Sequence, residues 1–448
     1  MAWRRHSMRR VVIVGALGRD FHDFLTVFRD SRDHRVVAFT AAPSQNLGET
    51  GDHHATFPAE LAGPDHPDGI PIVPESELEA VVDEYAADEV VFSYSDVSHE
   101  KVMHVASRAL AAGADFRVVG PDEMQLDADV PVLAVDAVRT GCGKSQVSRA
   151  LTAELESRGY DVAVVREPMP YGDLTEKRVE RFADESDLAD LTIEEREEYE
   201  QHVERGHVVY AGVDYAAIVE RASAEADVIV WDGGNNELPF VRPDLHVVLA
   251  DPLRAGDELT SHPGEANVRD ADVVVVNKEN SASDDQIRTV VENVRDVNPD
   301  AEILHADSVV TVDDPDAVHG KDALVVEDGP SLTHGGTDYG AGTVAAERYD
   351  ATRLDPREEA VGSIADTLEK YDHLDRLLPA MGYTDEQIAD LEATIRNVDP
   401  EVVVAGTPHS LSDYVDVDAP IVQVDYHVEF HDTTVADFLD AHADDLGL

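Results

Sequence analysis

Between Val130 and Arg149 an apolar run feeds a glycine turn, Thr140-Gly-Cys-Gly-Lys-Ser-Gln146, and the turn feeds a helical pattern. Those residue types in that order make a cradle for nucleotide phosphates. Backbone N–H groups of the turn and the positive helix end face the phosphate oxygens, the Lys144 ammonium reaches the β and γ positions, and the Ser145 hydroxyl can ligate Mg²⁺. Thr140, Gly141, Cys142, Gly143, Lys144, Ser145 and Gln146 are therefore the expected nucleotide contacts. The first glycine of the usual P-loop pattern is replaced by Val138, and an additional cation, Arg139, stands four residues before Gly143.

Further stations carry matching chemistry. Ala226-Asp-Val-Ile-Val-Trp-Asp232 ends an apolar run on a carboxylate and is followed by two glycines. A strand of this form delivers an acidic residue to the Mg²⁺ beside a P-loop, which makes Asp232 the expected metal ligand. Val273 to Val276 leads into Asn277-Lys-Glu-Asn280, which resembles the guanine-reading Asn-Lys-x-Asp arrangement with an amide in its last place. Asn277, Lys278 and Asn280 can frame guanine or adenine, so ATP and GTP both stand. After the strand that ends at Arg166, the cations Lys177, Arg178 and Arg181 cluster in an otherwise acidic chain. Arg166, Lys177 and Arg178 are candidate ligands for an anionic acceptor and Asp173 a candidate base or outer Mg²⁺ ligand; a charged helix paired with its own glutamates is the competing reading. Four glycines lie between Gly335 and Gly342, next to His334. They can form an anion nest with an imidazole at its edge, or a plain loop. Gly15-Ala-Leu-Gly-Arg-Asp-Phe-His22 follows a strand pattern and opens a helix, so Arg19 and His22 are further candidate ligands for an anion. The second strand pattern ends without the acidic residue that would hold an NAD ribose.

Parallel α/β units must position these groups. From Arg9 to about Gln125 strand and helix patterns alternate: Val11 to Gly15, Phe21 to Arg29, Val36 to Thr40, Ser76 to Tyr85, Val90 to Phe92, Glu100 to Ala111 and Phe116 to Val119. Between Ala42 and Pro74 the sequence is rich in Pro, Gly, Asp and His without periodicity and reads as a long loop. Buried-strand runs resume after Val130. The expected organisation is a Rossmann-like doubly wound domain at 1–126, a P-loop NTPase domain with a parallel sheet at 127–350, and an α/β segment at 351–448 that completes the P-loop domain. There, Thr384 and Gln387 have capping-box spacing.

Composition bounds the rest. The chain has 448 residues and 43% apolar content, enough for more than one core. Its formal charge of -59, from 94 acidic against 35 basic residues, is spread along the whole sequence. Adaptation to molar salt, where a Debye length of ~3 Å screens self-repulsion, accounts for it. Such a surface repels nucleic acid and anionic membranes, so neither is expected as a partner. Cys142 is the sole cysteine, which excludes an intrachain disulfide. No apolar run approaches a membrane span, the Arg-rich opening reads as the approach to a first strand, with Met8 an alternative start, and a cytoplasmic location is expected.

Over nearly its whole length the chain resembles the cyclic 2,3-diphosphoglycerate synthetase-like family of P-loop proteins, some of whose members are called GTPases. The resemblance is carried, in order, by GALGRDFHDF at 15–24, FSYSDVSHE at 92–100, AVRTGCGKSQVSR at 137–149, REPMPYGDL at 166–174, VIVWDGGNN at 228–236, VVVVNKEN at 273–280 and VEDGPSLTHGGTDYGAG at 326–342. It implies an N-terminal Rossmann-like domain joined to a P-loop domain of the branch that includes dethiobiotin synthetase and the nitrogenase iron protein. In that branch a second cation before the loop reaches a partner's nucleotide. This implies a homo-oligomer and a role for Arg139 in stabilising transferred charge, against a simple local ion pair. The function expected is an Mg²⁺- and NTP-dependent ligase that phosphorylates a small polyanion so that an anhydride closes intramolecularly. Lys144, Arg139, Asp232, Asp173 and His334 would act in catalysis, Ser145 and Asp232 would hold the metal, and Arg19, His22, Arg166, Lys177 and Arg178 would hold the acceptor. The alternative is a GTPase switch acting on a protein partner, favoured by the Asn277–Asn280 segment.

Overall fold

The computed structural model describes residues 8–42, 56–167, 172–189, 191, 193–234, 237–329, 332, 339–380, 384–407 and 410–448. The fold is mixed α/β with parallel sheets, and its contacts divide it into two compact units. One comprises Met1–Ala183, Gly206–Ala306 and Phe430–Leu448; the other comprises Asp184–Arg205 and Asp307–Glu429.

The first unit opens with β1 (Arg9–Val14), β2 (His34–Ala41), β3 (Thr56–Phe57), β4 (Ile70–Pro74), β5 (Glu89–Phe92), β6 (Val97–Ser98) and β7 (Asp115–Val118). The sheet order is β3-β4-β2-β1-β5-β7, with all pairs parallel except β3–β4. Val11 to Val14 are buried, as a central parallel strand covered on both faces requires. The helix expected over Phe21 to Arg29 begins earlier, at Arg19, and after Asp23 widens into a π turn over Phe24–Phe28. The segment expected as a long loop is ordered from Thr56 onward: Thr56–Phe57 pairs antiparallel with Ile70 and Pro71, around a helical turn at Ala59–Ala62. Five prolines between Pro58 and Pro74 hide that pattern from any periodicity reading. The rest of that segment, 43–55, lies outside the described residues.

A second sheet in this unit contains β8 (Val132–Ala137), β9 (Val162–Arg166), β10 (Glu180–Phe182), β11 (Val208–Ala211), β12 (Val228–Asp232) and β13 (Leu245–Ala250). After the short β14 (Ser261–His262) come β15 (Val273–Val276) and β16 (Glu302–Val312), the latter joined to β15 over Glu302–His305. The order is β10-β11-β9-β12-β8-β13-β15-β16, parallel but for the β10 edge. All residues of β8, β9, β12, β13 and β15 are buried.

The two sheets of this unit share one core. Phe21, Phe24, Phe39 and Phe57 from in and around the N-terminal sheet join Tyr215, Trp231 and Phe240 from in and around the second sheet in a single apolar cluster. The His22 ring stacks on Phe240 at 4.0 Å and 4°. An antiparallel bridge of β6 to β14, with Ser98 opposite Ser261, adds a second tie.

In the second unit β17 (Asp322–Asp328) pairs in parallel with β18 (Thr352–Arg353), β19 (Leu378–Ala380) and β20 (Val402–Gly406), and β20 pairs with β21 (Ile421–Phe430). The helix Asp385–Val398 starts on the expected capping box: Gln387 N–H donates to Thr384 Oγ1 at 3.2 Å, and Thr384 N–H to Gln387 Oε1 at 3.1 Å. Among the described residues no helix is long and apolar enough to cross a membrane.

Candidate nucleotide and acceptor site

The turn after β8 holds Gly141 at φ +89° and Gly143 at φ +100°, and the helix Lys144–Ser157 begins directly behind it. A side chain at Gly143 is excluded twice over. The left-handed backbone disfavours it, and its Cβ would lie 2.3 Å from Asn277 Nδ2 and 2.4 Å from Gln146 Nε2. Lys144 and Asp232 meet: Lys144 Nζ donates to Asp232 Oδ1 at 2.5 Å. Arg166 Nη1 pairs with the other oxygen, Asp232 Oδ2. Asp232 is fully buried, and Lys144 and Arg166 nearly so. Asp232 thus takes one cation on each of its carboxylate oxygens, and ion pairs of this kind are among the strongest hydrogen-bonded contacts a side chain makes.

Asn277 is fully buried under the turn and donates from Nδ2 to Cys142 O at 2.9 Å. Arg254, which the sequence reading passed over, does the same from the loop after β13: its Nη2 donates to Thr140 O at 2.8 Å and lies 3.4 Å from Cys142 Sγ. Lys278, at φ +61°, donates to Asp251 Oδ2 at 3.0 Å, and Asp251 in turn lies 3.6 Å from Arg254. The Asn277–Asn280 loop and the phosphate turn are thus one hydrogen-bonded assembly, with Asn280 exposed at its rim. Burial raises the Cys142 thiol above its ordinary pKa, so this side chain fills space as a neutral group.

Arg139 is paired with two carboxylates of the chain. Its Nε is 3.3 Å from Asp96 Oδ1 and its Nη1 is 3.4 Å from Asp257 Oδ2, while Thr140 N–H donates to the same Asp96 oxygen at 3.4 Å. Arg178 donates through Nε and Nη2 to Asp214 Oδ2 at 2.9 and 2.7 Å. Burial lowers the pKa of Lys177. Asp173 Oδ1 accepts from Thr175 N and Oγ1 at 2.8 and 2.6 Å, closing a local turn. Arg166, the last residue of β9, is thus the candidate acceptor cation that pairs with Asp232 beside Lys144.

The Gly15–Gly18 turn and the described end of the second glycine segment, Gly340 to Gly342, each hold a carboxylate of the chain itself. Asp20 accepts from Leu17 N–H and Gly18 N–H at 3.1 Å each and from Phe21 N–H at 2.8 Å, so the Gly15–Gly18 turn is filled from within. Burial pushes its carboxyl up to about 7. In the second unit Glu327 accepts from the N–H groups of Gly340, Gly342 and Thr343 at 3.1, 3.1 and 2.6 Å, at the start of the helix Ala341–Arg348. Its carboxyl is likewise raised by burial to about 7. His334 lies outside the described residues. His22 is turned into the shared core, where Nε2 lies 2.8 Å from Met124 O and burial lowers its pKa to about 3. The neutral ring donates that bond and packs on Phe240, which leaves it no positive charge to offer an anion.

Further buried carboxylates stand where sequence spacing gives no sign of them. Glu237, buried after the Asp232 loop, accepts from Ser95 Oγ at 2.6 Å through Oε1, while its Oε2 makes no hydrogen bond. Burial raises its pKa, and Lys144 is near enough to pull it back. Glu167 packs so closely that a Cβ on Gly18 would lie 1.8 Å from its Oε1. On β8, buried Asp136 accepts from Trp231 Nε1 at 3.3 Å and pairs with His246 Nε2 at 3.1 Å; Asp270 lies 3.6 Å from His246 Nδ1. Burial alone would lower the His246 pKa, but those two carboxylates lift it to about 9.

Against known proteins, the chain is 52% identical over 424 residues to the arginine synthetase ArcE of Thermococcus kodakarensis, covering 94% of each. It is 25% identical over 266 residues to the cyclic 2,3-diphosphoglycerate synthetase of Methanothermobacter thermautotrophicus, spanning 52% of this chain and 56% of that one. No protein-family model matches. Among solved structures, LpxK from Aquifex aeolicus in complex with ATP superposes with a TM-score of 0.40 at 11% identity, over 82% of this chain and 99% of that one. A ParA family ATPase from Chlorobium tepidum gives 0.24 at 14% identity, over 42% and 86%.

Proposed function

We propose that this chain, which belongs to the family of the arginine synthetase ArcE, is an NTP- and Mg²⁺-dependent ligase that completes the guanidinium group of arginine. The observation that carries the reading is the 52% identity across 94% of both chains. The Lys144–Asp232–Arg166 group behind the glycine turn is consistent with it.

Chemistry narrows the acceptor. A ligase that spends a nucleotide makes a poor leaving oxygen into a good one by phosphorylating it, after which an amine displaces phosphate. The oxygen counterpart of a guanidinium is a ureido group, so the acceptor is the ureido analogue of arginine, L-citrulline. Its ureido oxygen takes the γ-phosphoryl and NDP leaves; ammonia then attacks the carbon, phosphate departs with that oxygen, and one proton is lost from nitrogen. Buried carboxylates beside the turn suit a cationic product and a proton-releasing nucleophile better than a polyanion. Glu237 Oε2, unpaired and with a raised pKa, would accept the proton. Lys144 and Arg166 would hold the transferring phosphoryl, and Lys144 would leave Asp232 to do so.

A hydroxyl from Ser145 and a carboxylate from Asp232 are donors of the kind Mg²⁺ takes, and releasing Asp232 from Lys144 supplies the negative charge the ion needs. When bound, the ion would neutralise charge on the β and γ phosphates. Asn277 and Arg254 would keep the turn in shape, and Lys278 would face the base; the residues are compatible with either purine.

The weaker relationship to cyclic 2,3-diphosphoglycerate synthetase keeps the phosphoanhydride reading as the second one. Phosphorus NMR and amino-acid analysis separate the two. The protein in molar KCl with Mg²⁺ and ATP or GTP is given either L-citrulline with ammonium chloride, or 2,3-bisphosphoglycerate. The expected outcome is orthophosphate, NDP and L-arginine in equal amounts in the first mixture alone. A new pyrophosphate signal in the second would establish the anhydride chemistry instead, and hydrolysis indifferent to both would favour a switch protein.

A further inference from the structure

The carboxyl edge of the N-terminal sheet gathers buried polar atoms that the chain leaves without well-formed hydrogen bonds. They are Arg19 Nε and Nη1, both carboxylate oxygens of Asp23, Ser93 Oγ and His262 Nε2. Native proteins leave few such atoms, and six in one place call for an explanation. They are neighbours: Arg19 Nε lies 3.7 Å from Asp23 Oδ2, Ser93 is near enough to Asp23 to favour its charged form, and the charge of Arg19 acts on His262. Arg19 is held by a single bond, from Nη2 to Val119 O at 2.8 Å.

Their place in the fold is the one where open α/β sheets take ligands. In the order β3-β4-β2-β1-β5-β7 the chain runs outward in both directions from β1, so the switch point is the gap between β1 and β5. Arg19 and Asp23 follow β1, and Ser93 follows β5 with its N–H bonded to Val14 O at 3.0 Å. The phosphate-type nest at this buried edge is filled by Asp20, which leaves one guanidinium beside one carboxylate and a hydroxyl. A ligand that satisfies that set carries one anionic and one cationic group on neighbouring atoms.

We infer that Arg19, Asp23 and Ser93 bind the α-amino-acid head group of the acceptor, Arg19 taking the α-carboxylate and Asp23 the α-ammonium. The inference rests on the arginine-forming reading above. Ser95, two residues past Ser93, donates to Glu237, so one loop links the head-group atoms to the proton acceptor of that reading.

The test is a ligand–mutant cycle by isothermal titration on the full chain, using L-arginine and its decarboxylated analogue agmatine. Wild type is expected to prefer L-arginine by about 100-fold, the scale of losing one partner of a buried charge pair. Arg19→Gln should bring the two ligands to within about threefold by weakening L-arginine alone, and Ser93→Ala should weaken L-arginine about tenfold. Thermal melts report whether each variant folds; if Arg19→Gln does not, Ser93→Ala with the same ligand pair decides. An unchanged preference in the folded variants, with wild type still making L-arginine, overturns the head-group site alone. Failure of wild type both to bind L-arginine and to make it overturns the site together with the functional reading.

Discussion

Asp136 and His246 show how a single buried contact sets a pH response. The imidazole has Asp136 on one side and Asp270 on the other, and its pKa rises from 6.5 to about 9 in the folded chain. A raised folded-state pKa means that the native form holds the proton more tightly than the unfolded one. The stabilisation is therefore complete below about pH 6.5 and is lost as the pH climbs through about 9. A shift of this size corresponds to something on the order of 3 kcal/mol. Urea unfolding of wild type and His246→Gln at pH 6 and at pH 9.5 should show the gap between them closing by that order. A gap that does not move with pH would mean that the ring is neutral when folded. No motif points to this pair: Asp136 and His246 are 110 positions apart and meet only because β8 and β13 are neighbours.

At the scale of elements, the phosphate turn is fixed from three sides, by Asn277, Arg254 and its own glycines. Gly143→Ala would place a Cβ against Asn277 Nδ2 and force a left-handed alanine, a strain of about 1–3 kcal/mol. Nucleotide affinity should fall about 10- to 100-fold, read by titration with a non-hydrolysable ATP analogue. An unaltered affinity would mean that Asn277 is not needed to shape the turn. This element was legible in the sequence because strand, turn and helix are contiguous, and Asp232 because an apolar strand ends on it. The clamp was not, since Arg254 sits 114 positions from Thr140 and its role depends on β13 lying beside β8. Glycine turns were legible as turns but not as filled ones. That Asp20 folds back onto Leu17, Gly18 and Phe21 depends on side-chain direction, and Glu327 reaches the glycines of the next helix from another strand. The proline-punctuated β3–β4 hairpin escaped for a simpler reason, because strands of two and five residues are too short to display a period.

For the molecule as a whole, charge is the dominant variable. A formal -59 over 448 residues means that folding packs carboxylates closer together than the unfolded chain does. Raising salt from 0.1 M to 1 M shortens the Debye length from about 10 Å to about 3 Å and should relieve that repulsion. The melting temperature is expected to rise by about 10 °C or more between 0.1 M and 2 M KCl, equivalent to a few kcal/mol. A melting curve insensitive to KCl would remove salt adaptation as the reason for the composition. The apolar cluster that runs from Phe39 and Phe57 through His22 to Phe240 and Trp231 is indifferent to salt by comparison. It also means that the N-terminal sheet and the second sheet cannot be exchanged singly with those of other proteins. Each supplies the other's missing interior, so a graft of either would carry an unfinished face.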